Sequence, residues 1–408
     1  MDRNQYSKIR LNLMNETLQN KCQISILDQL QETHYIVPAD NLNLIEKAIK
    51  RGCSTGLELL SRYGISLDDI SMALDCTPSL IQKIIETNYH SDLILIDGED
   101  ATSLSDENIK SARKNIISTF NERKNYHTRM YFRPSGLELK YCIDDIVEVL
   151  SGVKINQEGA YPVDGMIYPK VESKEEINFI NNILLDFERE IKIPENTIKL
   201  QFLVESSRGV EKIYEIASSI KSRLSGIIFG MADYAADIGI SSLNENHPLF
   251  QYAKMRIVNV SAAMGVPSVD CMNFRYPVAD KNLNLVENKE LILNRMRQMH
   301  DTTLNSISLG MKGKWVGHPL QLLAAKVAFE KVFSQELLGD YMKKLKIYSE
   351  SSSGTKIIDN DMADRATDRN VRTFLRRAVI KSKIDIEIAL NLGLINNSEF
   401  TMLKLRQN

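Results

Sequence analysis

The chain has 408 residues, with 51 basic and 53 acidic side chains for a formal charge of −2, and 43% of its residues are hydrophobic. That balance suits a globular protein with room for one large core or two modest ones, and it gives no general electrostatic pull towards nucleic acid or an anionic membrane. No apolar stretch approaches the roughly 20 residues that cross a bilayer, and the polar opening "MDRNQYSKIRLNLMNETLQN" lacks a signal-peptide core, so the expected setting is cytoplasmic, without nucleic acid or membrane as partner. Five scattered cysteines form no CxxC pair, which argues against a zinc site or a disulfide framework.

In chain order, residues 1–30 are polar and read as a short helical leader. Short β-branched runs then alternate with amphipathic stretches of helical length: "HYIVP" and "NLNLIEKAIKRG", "LILID" and "DENIKSARKNIISTF", "RMYFRP" and "CIDDIVEVL", "GMIYPK" and "KEEINFINNILLDFERE". The rhythm continues through "KLQFLVE" and "VEKIYEIASSI", "GIIFGMAD" and "PLFQYAKMRIVNVSAAMG", "VPSVD" and "ENKELILNRMRQMHD", and finally "SISLG" and "LQLLAAKVAFEKVF". Eight such units, with strands too apolar to face water, predict an α/β fold of the (β/α)₈ TIM-barrel type over residues 31–335. The alternative is an open doubly wound sheet, and no G-x-G-x-x-G follows any strand to support it.

Two segments break the rhythm. Residues 55–90 form a helical insertion after the first helix, and residues 336–408 a C-terminal helical extension. Within the insertion, "SLDDISMAL" and "PSLIQKIIE" resemble a helix-turn-helix that would present Ser79, Gln82 and Lys83. That face lacks the basic density of a phosphate-binding surface, so a hairpin for packing or oligomer contact is the favoured reading.

A parallel barrel places chemistry at the carboxyl ends of its strands. There the fifth run ends at Glu205 and the sixth at Asp233, while the second supplies Asp97, Glu99 and Asp100, the third Arg133, and the fourth Lys170. Adjacent strands lie roughly 5 Å apart, so two carboxylates on neighbouring ends need positive charge between them. A divalent cation answers that need, and Mg²⁺ suits a set without histidine or cysteine. The alternative is that each carboxylate caps the helix that follows. Arg133 could grip a substrate carboxylate or stabilise an oxyanion, or it could pair with Asp97 or Glu99.

In this order "YIVPADNLNLIEKAIKRG", "LILIDGEDA", "FRPSG", "IYPKVES", "LVESSRGVEKIYEIA", "IIFGMADYAADIG" and "GKWVGHPLQL" resemble the citrate lyase β-subunit and malyl-CoA lyase family, within the wider HpcH/HpaI aldolase group. The likeness spans residues 34–54 and 91–321. It implies a metal-dependent carbon–carbon lyase with Glu205 and Asp233 as Mg²⁺ ligands, Arg133 polarising the substrate carbonyl, and Asp97, Glu99 and Asp100 ordering metal-bound water and the arginine. Lys170 and Ser135 join Arg133 as substrate contacts, although Ser135 stands where relatives carry asparagine. The related sugar-acid aldolases carry histidine at the position of Asp100, so "DGEDA" favours the branch acting on CoA thioesters and 2-oxo acids. "SGTKIIDNDMADRA" is similar to the element by which a neighbouring subunit supplies an aspartate, which makes Asp359 the expected acid in trans and the protein a homo-trimer or homo-hexamer. His318 is expected to brace the eighth loop. The competing readings are an aldolase that uses no CoA and a binding or regulatory protein that has lost turnover.

Overall fold

The computed structural model describes residues 3–19, 24–100, 105–124, 128–349, 356–358 and 361–407. Eight strands, β1 (Thr33–Pro38), β2 (Leu93–Asp97), β3 (Arg129–Arg133), β4 (Gly165–Tyr168), β5 (Lys199–Val204), β6 (Leu224–Phe229), β7 (Ser268–Asp270) and β8 (Gly313–Val316), close in sequential order into a parallel barrel. Pairing of Thr33 with Lys314 and Tyr35 with Val316 completes the ring.

The period-2 geometry of a strand sorts the side chains. Leu93, Leu95, Tyr131, Ile167, Leu203 and Ile228 fill the lumen together with Val269 and Trp315. Their neighbours, such as Ile94, Ile96, Phe132, Phe202 and Ile227, pack outwards against the helices. Both faces are thus buried, which is why the strands are apolar throughout and not alternating. Each buried aliphatic or aromatic side chain contributes about 1.5–3 kcal/mol. Short turns feed the helices: Ser105, Ser173 and Ser206 each accept a hydrogen bond from the N–H three residues on, at Asn108, Glu176 and Gly209. Each cap adds about 1 kcal/mol.

The eighth strand differs from expectation. "SISLG" lies at the end of the helix Leu285–Ser308 and the turn after it, and the strand is "GKWV". Alternating Ser and Ile imitate a strand, but the hydroxyls of Thr303 and Ser306 bond back to the carbonyls of Met299 and Thr302, as they do inside a helix. The true strand was hidden by Lys314, a charge in mid-strand that is fully buried against Asp270.

The insertion comprises helices Leu57–Arg62, Leu67–Ala73 and Pro78–Thr87, and lies between the helix Leu42–Arg51 and β2, at the amino end of the barrel. A Ser66–Asp69 capping box and the Thr77 hydroxyl start its last two helices. It packs on Leu285–Ser308, where Lys289 pairs with Asp69 (2.8 Å) and Arg297 Nε donates to the Ala73 carbonyl (3.1 Å).

Contacts divide the chain into two compact units, the second comprising Ser25–Leu30 and Ala328–Asn408. Its core gathers Phe333, Leu338, Leu345, Leu375 and Val379 with Ile26 from the amino-terminal piece, so the first 30 residues are shared between the units. This unit holds helices Gln335–Ser349, Arg365–Ile380, Ile386–Asn391 and Asn397–Gln407, and an antiparallel pair of strands, Lys356–Ile358 and Asp361–Ala363. Among the described residues no helix is long and apolar enough to cross a membrane.

Candidate active site

The lumen residues predict where the mouth residues fall. Two positions beyond Ile36, Leu95, Tyr131, Leu203, Ile228, Val269 and Trp315 stand Pro38, Asp97, Arg133, Glu205, Gly230, Cys271 and Gly317. All seven line one cavity of about 620 Å³. The parity that fills the core therefore delivers two carboxylates and a guanidinium to the carboxyl end of the barrel. That volume lies within the range of small-molecule sites.

Asp233 also lines the cavity, but it does not end a strand. It stands in the first turn of the short helix Met231–Asp237 that follows β6. Gly230 lets this turn approach: a Cβ there would overlap the Glu205 side chain. Glu205 itself directly follows β5, and the next helix is capped by Ser206, so capping is not what Glu205 does.

Arg133 is held from several sides. Its Nε and Nη2 donate to the two oxygens of Asp97, each at 2.6 Å, and Nη1 lies 2.8 Å from Glu99 and 3.4 Å from Asp100. The Trp315 ring lies under the guanidinium at 5.6 Å. The pairing expected as an alternative to a substrate role is thus present, and the arginine still borders the cavity. Lys170 adopts a left-handed backbone with φ +50°, an uncommon state for a residue with a side chain. That turn directs its N–H at Glu205 Oε1 (2.6 Å), while its ammonium pairs closely with Glu99 and reaches Glu138 and Asp100.

Five carboxylates, Asp97, Glu99, Asp100, Glu205 and Asp233, thus meet two cations, Arg133 and Lys170. Burial, with the charges of Glu99 and Asp233, pushes Glu205 up to about 8 against the pull of Arg133. Burial and Asp100 push Glu99 up to about 7 against Arg133 and Lys170. A cation beside Glu205 and Asp233 would reverse both effects. Close as these carboxylates are, among the described residues no group of three or more His, Cys, Asp or Glu side chains is arranged to hold a metal ion. A pair of carboxylates such as Glu205 and Asp233 would suit an ion that keeps water and substrate oxygens in its remaining positions.

Other expected site residues do not border the cavity or lie outside the described residues. Ser135 is buried, its N–H donating to Asp145 (3.0 Å), and neither it nor Lys170 nor Glu99 lines the cavity. Asp359 lies outside the described residues. His318 accepts from the Leu320 N–H (3.2 Å) beside the ring of Tyr276, a brace for the eighth loop. Unforeseen were the apolar walls: Leu44, Met231, Met272, Phe274, Tyr276 and Trp315. Only Trp315 carried a sequence signal, as the single tryptophan in the segment quoted for the eighth loop.

Fold and site together define a barrel enzyme built around carboxylates and one arginine. The sequence model of the HpcH/HpaI aldolase/citrate lyase family matches residues 76–289, just over half of the chain; the chain belongs to that family and is a carbon–carbon lyase. It is 24% identical over 322 residues to an L-malyl-CoA/beta-methylmalyl-CoA lyase of Rhodobacter capsulatus, covering 74% of this chain and 91% of the relative. To a malyl-CoA/beta-methylmalyl-CoA/citramalyl-CoA lyase of Chloroflexus aurantiacus it is 25% identical over 337 residues, covering 76% and 88%. Among solved structures, a citrate lyase from Burkholderia xenovorans LB400 superposes with a TM-score of 0.61 at 16% identity over 88% of this chain and 97% of its own. Protein CitE from Mycobacterium tuberculosis, in complex with magnesium, acetoacetate and coenzyme A, gives 0.55 at 17% identity over 86% and 99%. At such identities the structural likeness carries the fold.

Proposed function

We propose that the protein is a Mg²⁺-dependent lyase that cleaves, or in reverse forms, a 3-hydroxyacyl-CoA thioester of the malyl-CoA or citramalyl-CoA kind, giving a 2-oxo acid and an acyl thioester. The observation that carries the reading is that Glu205, Asp233 and Arg133, with Asp97 and Asp100, line one cavity whose other walls are largely apolar. The two lyases of Rhodobacter capsulatus and Chloroflexus aurantiacus, matched over most of their length, suggest the substrate class by their names.

In this reading Glu205 and Asp233 hold the ion, and what it supplies when bound is charge neutralisation at the oxygens of the 2-oxo acid. Arg133, held rigid by Asp97, offers its remaining N–H donors to the oxygen on which charge develops as the carbon–carbon bond breaks. In cleavage the hydroxyl loses its proton, the bonding pair passes to the carbon beside the thioester, and that carbon takes up a proton. Asp97, Glu99 and Asp100 fix the arginine and order water. Asp359 of an adjoining subunit is the proposed acid, on sequence alone, which makes the working form a homo-trimer or homo-hexamer, in the cytoplasm. Lys170 acts here through Glu205 and Glu99, with its backbone N–H and its ammonium.

The test is an assay of purified protein with Mg²⁺ against malyl-CoA, citramalyl-CoA and related thioesters, following release of glyoxylate or pyruvate. Cleavage lost with EDTA and in Arg133→Ala is the expected result. Silence across the panel, with cleavage of CoA-free 4-hydroxy-2-oxo acids instead, would replace the thioester by a free acid as substrate.

A further inference from the structure

The segment that carries Asp233 leaves the barrel at Gly230 and returns at Pro248, and its far end is held by charges that the proposed chemistry does not use. Lys314 on β8 and Lys254 on the helix Pro248–Met264 are both fully buried. Lys314 stands in register with Asp270 of β7 and pairs with its Oδ2 at 2.7 Å, while Lys254 reaches the same oxygen at 3.0 Å. Two ammonium groups on one carboxylate leave a positive charge uncompensated in the core, a costly state. Glu245 supplies the missing carboxylate from the loop: its Oε2 lies 3.0 Å from Lys314 and 3.9 Å from Lys254.

The same residue ties together the loops after three strands. Asn273, after β7, donates to Glu245 Oε1 (3.3 Å), and Gln251 donates to the Glu245 carbonyl (2.6 Å). The Asn273 carbonyl accepts from Gln321 (2.6 Å), whose Oε1 takes the N–H of the cavity residue Gly317 (3.0 Å). Nearer the site, Asp237 accepts from the N–H and hydroxyl of Ser207, at 2.7 and 2.6 Å. The stretch from Met231 to His247 is thus pinned at Asp237 and at Glu245, and Asp233 and Met231 lie on its cavity side.

We infer that Glu245 is a positioning residue: its docking on the buried Lys314–Lys254 pair latches the loop after β6 and so sets Asp233 at the cavity wall. The effect on metal affinity rests on the function proposed above; the latch itself does not.

Hydrogen exchange read by mass spectrometry on the full-length protein, with Mn²⁺ binding measured alongside, separates the two. In Glu245→Gln, amide exchange across 238–247 rises about tenfold or more while β3 and β4 keep their protection, and affinity for Mn²⁺ alone falls about five- to tenfold. Glu245→Gln/Lys254→Met, which leaves Lys314 and Asp270 in balance, regains thermal stability over the single variant but not Mn²⁺ affinity, an outcome that a purely structural role does not give. The double variant also carries the comparison should the single one fold poorly. Unchanged exchange across 238–247 overturns the latch; raised exchange with unchanged Mn²⁺ affinity overturns its positioning of Asp233. A wild-type protein that binds no Mn²⁺ refutes the metal site and the positioning with it, and the exchange result then decides the latch alone.

Discussion

Two buried arginines, one at each end of the barrel, differ in how their charges are balanced. Arg223, before β6, is bidentate to Glu188 at 2.7 Å on both sides and spends its other donors on the Ile198 carbonyl and Asn181. The Glu188 oxygens also accept from the N–H groups of Ile198 and Asn196, each at 2.8 Å. One charge meets one charge, and the network closes. Arg133 is gripped just as tightly by Asp97, yet it stands among five carboxylates with a single lysine to help. Burial is the main cause that lifts the Glu205 and Glu99 carboxyls above the ordinary glutamate range, and a cation at this end would lower them.

The comparison breaks most severely at the open end. Asp233→Ala or Glu205→Ala should cost about 10²–10³-fold or more in metal-dependent turnover, with the fold intact by circular dichroism; retained activity with full metal dependence would remove them from the ligand set. At the closed end the damage should be to stability alone. Glu188→Ala leaves Arg223 buried and unpaired and should lower the unfolding free energy by about 3–5 kcal/mol, read from urea denaturation at matched m-values. A loss within the error of the fit would show that water repairs the gap.

Smaller in size is a pH effect that only the open end should give. The folded protein holds the Glu205 proton between the ordinary glutamate value of 4.5 and about 8, a proton that the unfolded chain has already released. Folding takes up a proton in that window, so this group lowers stability as pH rises through it. Glu99 adds the same sign up to about 7. Mg²⁺ needs the ionised carboxylate, so the rise in Tm that it causes should grow between about pH 6 and 8.5, and Glu205→Gln should flatten the trend. A rise equal at both pH values contradicts the assignment. Smallest is Ser66→Ala in the inserted helices, which should cost about 1 kcal/mol through a lost cap and leave turnover unchanged.

Much of this arrangement was legible before the structure. Strands buried on both faces are continuous apolar runs, and seven of the eight could be read directly. The eighth could not, because Lys314 breaks the run and only tertiary pairing with Asp270 and Glu245 explains a lysine there. Strand parity fixes Asp97, Arg133 and Glu205, each two residues beyond a lumen residue. For Asp233 the sequence points to the right end of the barrel but to a strand, since a one-residue turn at Gly230 leaves no periodic signal. The left-handed turn at Lys170 and the walls from Met272, Phe274 and Tyr276 depend on loop conformation, which pattern does not encode. The tie of the Ser135 N–H to Asp145 involves the Arg113–Asp145 pair, formed between the helices of two successive βα units.

The most direct measurement is a calorimetric titration of Mg²⁺ into the metal-free protein at pH 7.5, in two buffers of different ionisation enthalpy, with Glu205→Gln alongside. The expected result is one ion per chain, bound with release of a proton from the Glu205 carboxyl, and both binding and release lost in the variant. Absence of binding, or binding that Glu205→Gln leaves unaltered, would contradict a cation site at the meeting of Glu205 and Asp233.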